Sequence, residues 1–334
     1  MVSMKKHLYL LFIITVFYSC EENIDTLIIE KDIPPATEIS SGCNISGQVV
    51  NFYGVPFENV ELALYVDHEF ERSFLTDDNG EYCIELTTSE IESYILLEAS
   101  YEDNNDVNKN YSKVVRKARF DSNNHSELNY LILDNFPEGI SNGDPEDREL
   151  QSVYGQIVDD NGVGGFGSVT FFDRPFQTTF ATYADMDGVY EYFVYPDVEY
   201  DLLYYTTAPA SLGVLQSEPE FQAYFYEIKD QIFPIEVKLD DFLVTREFSN
   251  RKIIGQVNYT NGDPLMKGSF HLDQQFVNSP IPIIDGKLYY NRNSCELFQD
   301  SYEAYIMDEI TGQKTSPFTV LFEDGIMDIG SIKI

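Results

Sequence analysis

"SGQVVNFYGVPFENVELALYV" runs from Ser46 to Val66, and its reading decides the fold because the chain writes it again. "YGQIVDDNGVGGFGSVTFF" starts at Tyr154 and "IGQVNYTNGDPLMKGSFHL" at Ile254. Each copy has Gly-Gln-Val/Ile and a second glycine seven residues on: Gly47 and Gly54, Gly155 and Gly162, Gly255 and Gly262. A second mark follows: "TDDNGEYCIEL" (76–86), "ADMDGVYEYFV" (184–194) and "IIDGKLYYN" (283–291). Its glycines, Gly80, Gly188 and Gly286, lie 33, 33 and 31 residues after the first glycine of their own unit. Self-similarity at a fixed period is the signature of a repeated structural unit.

The marks have a local cause. Asn79-Gly80, Asp187-Gly188 and Asp285-Gly286 are dipeptides that accept the positive φ of tight turns. Around them apolar residues alternate. Val60, Leu62, Leu64 and Val66 share one face with Glu61 and Ala63 opposite, and Tyr82, Ile84 and Leu86 share one face with Glu81 and Glu85 opposite. Val169 with Phe171, and Phe270 with Leu272, follow the same rule. Period two over such runs predicts half-buried strands, and no long stretch has a helical period. The units close alike, on "LNYLILDNF" (128–136), "FPIEVKLDDF" (233–242) and "GIMDIGSIKI" (325–334). Short strands with regular turn signals predict antiparallel β-sandwiches.

The pattern Gly-x-Val, a glycine loop, a small residue or proline, a Val-rich strand and then Thr-Asp-x-x-Gly-x-Tyr resembles the carboxypeptidase regulatory-like (transthyretin-like) domain. The first unit carries it on Gly47, Val49, Gly54, Pro56, Val60, Thr76, Asp77, Gly80 and Tyr82. The second keeps Gly155, Gly162, Val169, Asp185, Gly188 and Tyr190, with Gly164 at the proline place. The third keeps Gly255, Val257, Gly262 and Pro264 and lacks the Thr-Asp pair. The resemblance implies an all-β chain of three tandem seven-stranded Ig/transthyretin-like sandwiches and no catalytic machinery. The expected boundaries are 43–136, 152–244 and 245–334, with 137–151 as a polar linker.

The N-terminus reads as an address. Lys5 and Lys6 precede an apolar run of 11 residues, Leu8 to Tyr18, broken only by Thr15. A spanning helix needs about 20, so residues 1–19 are expected to be a signal peptide. The run ends Phe17-Tyr18-Ser19-Cys20, which resembles a bacterial lipobox, with Phe17 and Tyr18 where that motif carries leucine and a small residue. The resemblance implies acylation of Cys20, with residues 20–42 as anchor and tether. Several acyl chains hold a protein at a bilayer where one is marginal. Lipoboxes of this relaxed kind, followed by acids such as Glu21 and Glu22, are similar to those of surface-exported outer-membrane lipoproteins of the Bacteroidota.

Formal charge is −36, and −38 once residues 1–19 are removed, since they hold Lys5 and Lys6 and no acid. That field repels nucleic acid and anionic headgroups and excludes nucleic acid as a partner. After Cys20, Cys43, Cys83 and Cys295 remain. An export compartment permits a Cys43–Cys83 bridge. Strand parity argues against it, because Cys43 shares parity with inward Ile45 and Val49 while Cys83 is out of phase with inward Tyr82 and Ile84. Cys295 is expected as a buried free thiol.

Catalytic chemistry finds little purchase. His68, His125 and His271 have no partner motif, "HEFER" (68–72) has no second histidine at the zincin spacing, and no phosphate-binding or nucleophile-elbow motif occurs. "DDNG" and "DMDG" lack the alternate acids and distal Glu of a calcium loop, and turn geometry accounts for both. The chain is therefore expected to be non-enzymatic, with no cofactor and no metal. Two further features stand out. Lys109, Lys113, Arg116, Lys117 and Arg119 crowd basic charge into one stretch, either the solvated face of a strand or a patch that docks on phosphates or on an acidic face of a neighbouring unit. Tyr204, Tyr205, Tyr224 and Tyr226 are either core residues or a contact surface in a chain with 24 Tyr and no Trp. The expectation is a lipid-anchored outer-membrane surface protein whose modules bind or present a glycan or protein ligand. A structural spacer or assembly subunit, and an unrecognised hydrolase, are the alternatives.

Overall fold

A computed structural model describes residues 42–102, 110–133, 141–205, 225–244, 248–272, 280–294 and 300–334. The signal segment, Cys20, Lys109, Tyr224 and Cys295 lie outside the described residues. Among the described residues, strands dominate, and the single turn of helix, α1 (Thr88–Ile91), is held by a capping box between Thr87 and Glu90. No described helix is long and apolar enough to cross a membrane.

The sequence repeat is also a hydrogen-bond repeat. Strand β1 (Ile45–Asn51) pairs antiparallel with β4 (Glu81–Ile84) and parallel with β7 (Ser126–Glu127) and β8 (Tyr130–Ile132). Strand β9 (Gln151–Asp159) does the same with β12 (Val189–Val194), β15 (Val237–Lys238) and β16 (Phe242–Val244). Strand β17 (Ser249–Asn258) pairs with β20 (Lys287–Ser294) and β23 (Ile326–Lys333). In register, Gly47 faces Tyr82, Gly155 faces Tyr190 and Gly255 faces Leu288. The amides of Val49, Ile157 and Val257 donate to the carbonyls of Gly80, Gly188 and Gly286 at 2.8, 2.8 and 2.7 Å. The amides of Gly54, Gly162 and Gly262 close the next turn onto Asn51, Asp159 and Tyr259. Equivalent landmarks thus occupy equivalent bonds in three frames.

The first glycine of each unit is a close-approach position. A Cβ on Gly47 would lie 1.9 Å from the Leu128 carbonyl oxygen, which accepts the Tyr82 hydroxyl. A Cβ on Gly155 would lie 2.4 Å from the Tyr190 hydroxyl. The glycine and the tyrosine of the motif are therefore one device, with the ring laid over the bare backbone. In the third frame the tyrosine is replaced by Leu288, and Ile329 fills the space over Gly255.

A second sheet covers each of the first two frames. Its order is β3-β2-β5-β6 in the first, from β2 (Glu61–Val66), β3 (Glu69–Leu75), β5 (Ile95–Ser100) and β6 (Val114–Lys117). In the second it is β11-β10-β13-β14, from β10 (Ser168–Asp173), β11 (Thr178–Tyr183), β13 (Glu199–Tyr205) and β14 (Phe225–Ile232). One hydrophobic cluster, including Ile45, Leu62, Leu64, Ile84 and Tyr130, fills the first; another, including Val153, Phe171, Tyr190 and Leu202, fills the second. Fully burying an aliphatic side chain is worth about 1.5–3 kcal/mol, so the alternation in the sequence carries much of the drive to fold.

None of the three units is the expected seven-stranded sandwich, and the third departs furthest from it. Strands β18 (Lys267–Leu272), β19 (Ile281–Ile284), β21 (Ser301–Asp308) and β22 (Phe318–Leu321) join β17, β20 and β23 in one sheet, ordered β22-β21-β18-β19-β20-β17-β23. The first two units have pairs of four-stranded sheets instead. The turn explains the difference. In the first two units Asp77 and Asp185 each accept two backbone amides and carry the chain from one sheet to the other. The third unit has two residues fewer and no Thr-Asp pair. Asp285 and Gly286, at φ 50° and 75°, make a two-residue hairpin. Ile283 and Ile284 then pair directly with Leu288 and Lys287, and the two sheets become continuous.

A disulfide joins Cys43 to Cys83, with Cα atoms 5.4 Å apart. This corrects the expectation from parity. Cys83 does alternate outward, as β4 requires. Cys43, however, precedes β1, so the alternation of that strand does not fix its direction.

Candidate functional site

The basic stretch 113–119 builds a dense polar cluster, and it does so between frames. Strand β6 is the edge of the first frame's covering sheet, and Arg116 sits in register with core Leu97. Its guanidinium therefore leaves the first core sideways and enters the turn of the second frame. There it donates to the Val189 carbonyl at 2.8 Å and pairs with Asp185 at 3.3 Å, both side chains being buried. Arg119 donates to Glu191 at 2.8 Å, to Ser152 at 2.8 Å and to Glu236 at 3.0 Å, and its guanidinium lies 3.6 Å from the centre of the Tyr154 ring. Lys117 pairs with Glu236, and its amide donates to Glu191 at 3.0 Å. Lys113 stands apart, 3.9 Å from Glu98 of its own frame and largely exposed.

Burial raises Asp185 to about 6 against the pull of Arg116 and two amides. At Glu236 burial acts the same way but is outweighed by the hydrogen bond from Lys117 and by Arg119, so its carboxyl is held low. The segment read as a linker is part of the cluster. Asn142 is buried and bonds both edges, exchanging side-chain hydrogen bonds with Val115 at 2.6 and 2.8 Å and donating to the Glu191 carbonyl at 2.9 Å. The Phe193 amide donates to the Asn142 carbonyl. Beside Arg116 and Asp185 a cleft of about 140 Å³ opens, rimmed by Glu127, Asn129 and Asp187.

A second junction ties in the third frame. Arg292, buried, lies against the rings of Phe52 and Phe166, 4.4 and 4.6 Å from their centres, and donates to the Tyr290 hydroxyl; the two rings pack edge to face on each other. Stacked cations of this kind gain when they are desolvated. Backbone bonds flank it: Asn291 to Tyr53 at 2.8 Å, and Phe166 to Asn293 at 3.0 Å. A Cβ on Gly54 would sit 1.8 Å from the Asn291 carbonyl, so that glycine also serves the junction. Phe52, Phe166 and Arg292 come from the first, second and third repeat, so all three meet here.

The tyrosine candidates separate. Tyr204 is buried in the second core with its hydroxyl 2.9 Å from that of Tyr190, which removes it as a surface contact residue. Its inward parity on β13, shared with Leu202, decides this. Tyr205 and Tyr226 lie on β13 and β14, and Tyr224 is outside the described residues. The three described histidines are engaged locally. His68 contacts the Pro145 carbonyl, His125 contacts Ser46, and His271 contacts Ser269 and stacks on Tyr305. Among the described residues, no group of three or more His, Cys, Asp or Glu could hold a metal.

The junction has a pH signature. The folded-state value of Asp185 lies above the ordinary carboxylate value of about 3.9. Its contribution to stability is therefore fully present below the ordinary value and lost as pH rises through about 6. Unfolding free energies of the protein and of Asp185→Asn, compared between about pH 4 and 7, should show the unsubstituted protein losing ground to the variant as pH rises. A difference independent of pH would contradict this.

No protein-family model matches the chain, and no curated protein does. Solved structures give loose likenesses. A candidate adhesin from Bacteroides ovatus aligns at 11% identity over 60% of this chain and 95% of its own, with a TM-score of 0.24. BcpA, the major pilin subunit of Bacillus cereus, aligns at 9% over 86% and 98%, with a TM-score of 0.19. For the Bacillus anthracis TIE protein the values are 8%, 87% and 50%, with a TM-score of 0.21, so this chain spans half of that one.

Proposed function

We propose that this chain is a lipid-anchored, surface-displayed, non-catalytic protein that holds a binding face in fixed geometry toward a glycan or protein partner. The observation that carries the reading is the pair of junctions. Flexible spacers keep their charges in solvent, whereas here Arg116, Asp185, Glu191 and Arg292 are withdrawn from water to join one repeat to the next. Buried charge costs several kcal/mol unless well paired, so such joints favour defined orientation over reach. We read the repeats as three modules, 43–136, 152–244 and 245–334, related to carboxypeptidase regulatory-like domains through the Gly-Tyr device of the first two. Cys20 carries the acyl anchor, residues 21–42 form the tether, and the location is the outer face of the outer membrane. An assembly subunit is the second reading, favoured by the same fixed joints.

The anchor is tested by fractionation. Cys20→Ala should move the protein from the membrane pellet to the soluble fraction and abolish labelling by a palmitate analogue, and protease added to intact cells should remove the unsubstituted protein. A Cys20→Ala protein that stays with the membrane overturns the anchor. A glycan array on the released protein then separates glycan binding from assembly alone.

A further inference from the structure

The far end of the third frame is built like a junction and, among the described residues, is left open to solvent. In the second frame, the end that carries the Asp-Gly turn bears Phe166, Tyr183 and Met186, and these pack with Val50, Phe52 and Leu131 of the first repeat. The corresponding end of the third frame bears Met266, Ile284 and Ile310, exposed by 54, 60 and 67%. They are neighbours through the backbone. The Asp285 amide donates to the Met266 carbonyl, Ile284 pairs with Lys267, and the Glu309 amide donates to the Lys267 carbonyl. Three exposed large apolar residues on adjoining backbone at one frame end differ from the scattered single ones of an ordinary surface.

Charge says what can cover it. The chain holds 57 acids against 21 Lys and Arg, so two copies repel over most of their surface. This end carries both signs. Exposed Lys267, Lys287 and Lys314 stand against exposed Asp263, Asp285 and Glu309, with Asp308 buried beneath. Lys267 and Glu309, 3.5 Å apart, place both signs beside the apolar trio. An end that exposes apolar side chains with both signs of charge beside them can meet a copy of itself with unlike charges opposed, as a two-fold interface requires.

We propose that the Met266–Ile284–Ile310 end of the third frame is a self-association surface whose partner is the same surface of a second copy of this chain. The proposal does not depend on the lipid anchor. Sedimentation velocity of the full chain carrying Cys20→Ala, from nanomolar to about 100 µM, should show a concentration-dependent monomer–dimer equilibrium. Ile284→Ser should weaken the dimer about tenfold. Met266→Glu with Ile284→Glu and Ile310→Glu should leave monomer throughout, and Lys267→Glu should weaken association more at low salt than at high salt. Because these side chains are exposed, the variants should keep the strand circular dichroism of the parent, and Ile284→Ser preserves the test should the triple variant misfold. A protein that is monomeric at every concentration overturns the proposal. So does a dimer whose strength Ile284→Ser leaves unchanged, whether a different protein face or an unrelated contact holds it.

Discussion

Replacing Arg116 with methionine should destabilise the protein by about 3–5 kcal/mol. The loss comes less from the missing attraction than from what is stranded. Asp185 is buried, and Arg116 is the cation that pairs with it in the interior. Methionine fills much of the space and supplies no charge, so Asp185 must ionise alone in a poor solvent or bind a proton. Asp185→Asn alone strands the guanidinium in turn, although the Val189 carbonyl still accepts from it. The double variant Arg116→Met with Asp185→Asn removes both charges and should recover most of the lost stability, since apolar replacement of a whole buried pair is close to neutral. Urea unfolding followed by circular dichroism measures all three. The cycle should give strong coupling between positions 69 residues apart in sequence. If the single Arg116 variant unfolds like the parent, the first junction is not a structural joint.

Serine at both Cys43 and Cys83 should cost about 4 kcal/mol on the loop-entropy account. The two cysteines are 40 residues apart, and the bridge closes that loop at the point where the chain enters β1. The unfolded chain then regains the freedom the bridge withheld. A reducing agent should lower the stability of the parent by a comparable amount and leave the serine variant unchanged. Mass spectrometry of the exported protein should show two hydrogens fewer than the fully reduced chain. An oxidised mass with no change in stability on reduction would contradict the structural role of the bridge.

The strands were legible because alternation is a local property. Val60, Leu62 and Leu64 point inward as their spacing requires, and so do Tyr82, Ile84, Val169, Phe171 and Phe270. The glycines were legible as landmarks, and the structure adds their cause, the Tyr82 and Tyr190 rings laid against Gly47 and Gly155. Two residues missing before Gly286 were visible in the spacing, but not that their loss would fuse two sheets into one. The misreadings share an origin, since each needed a neighbour distant in sequence. The parity of β1 does not govern Cys43, which stands outside that strand. The polar composition of residues 137–151 predicts a linker and does not show that Asn142 within it is buried between Val115 and Glu191. The partners of the basic stretch did leave a trace in the sequence. Glu191 lies in the strand "VYEYFV", where five apolar residues surround one acid.

Native-state hydrogen exchange at three amides tests the central claim most directly. Val49, Ile157 and Val257 donate the equivalent bond in each repeat, to Gly80, Gly188 and Gly286. If three copies of one frame are joined through buried contacts, all three amides should be strongly protected, and Arg116→Met should speed exchange at Val49 and Ile157 together. Exchange at loop-like rates at any of the three, or an Arg116 variant that changes none of them, would contradict the account.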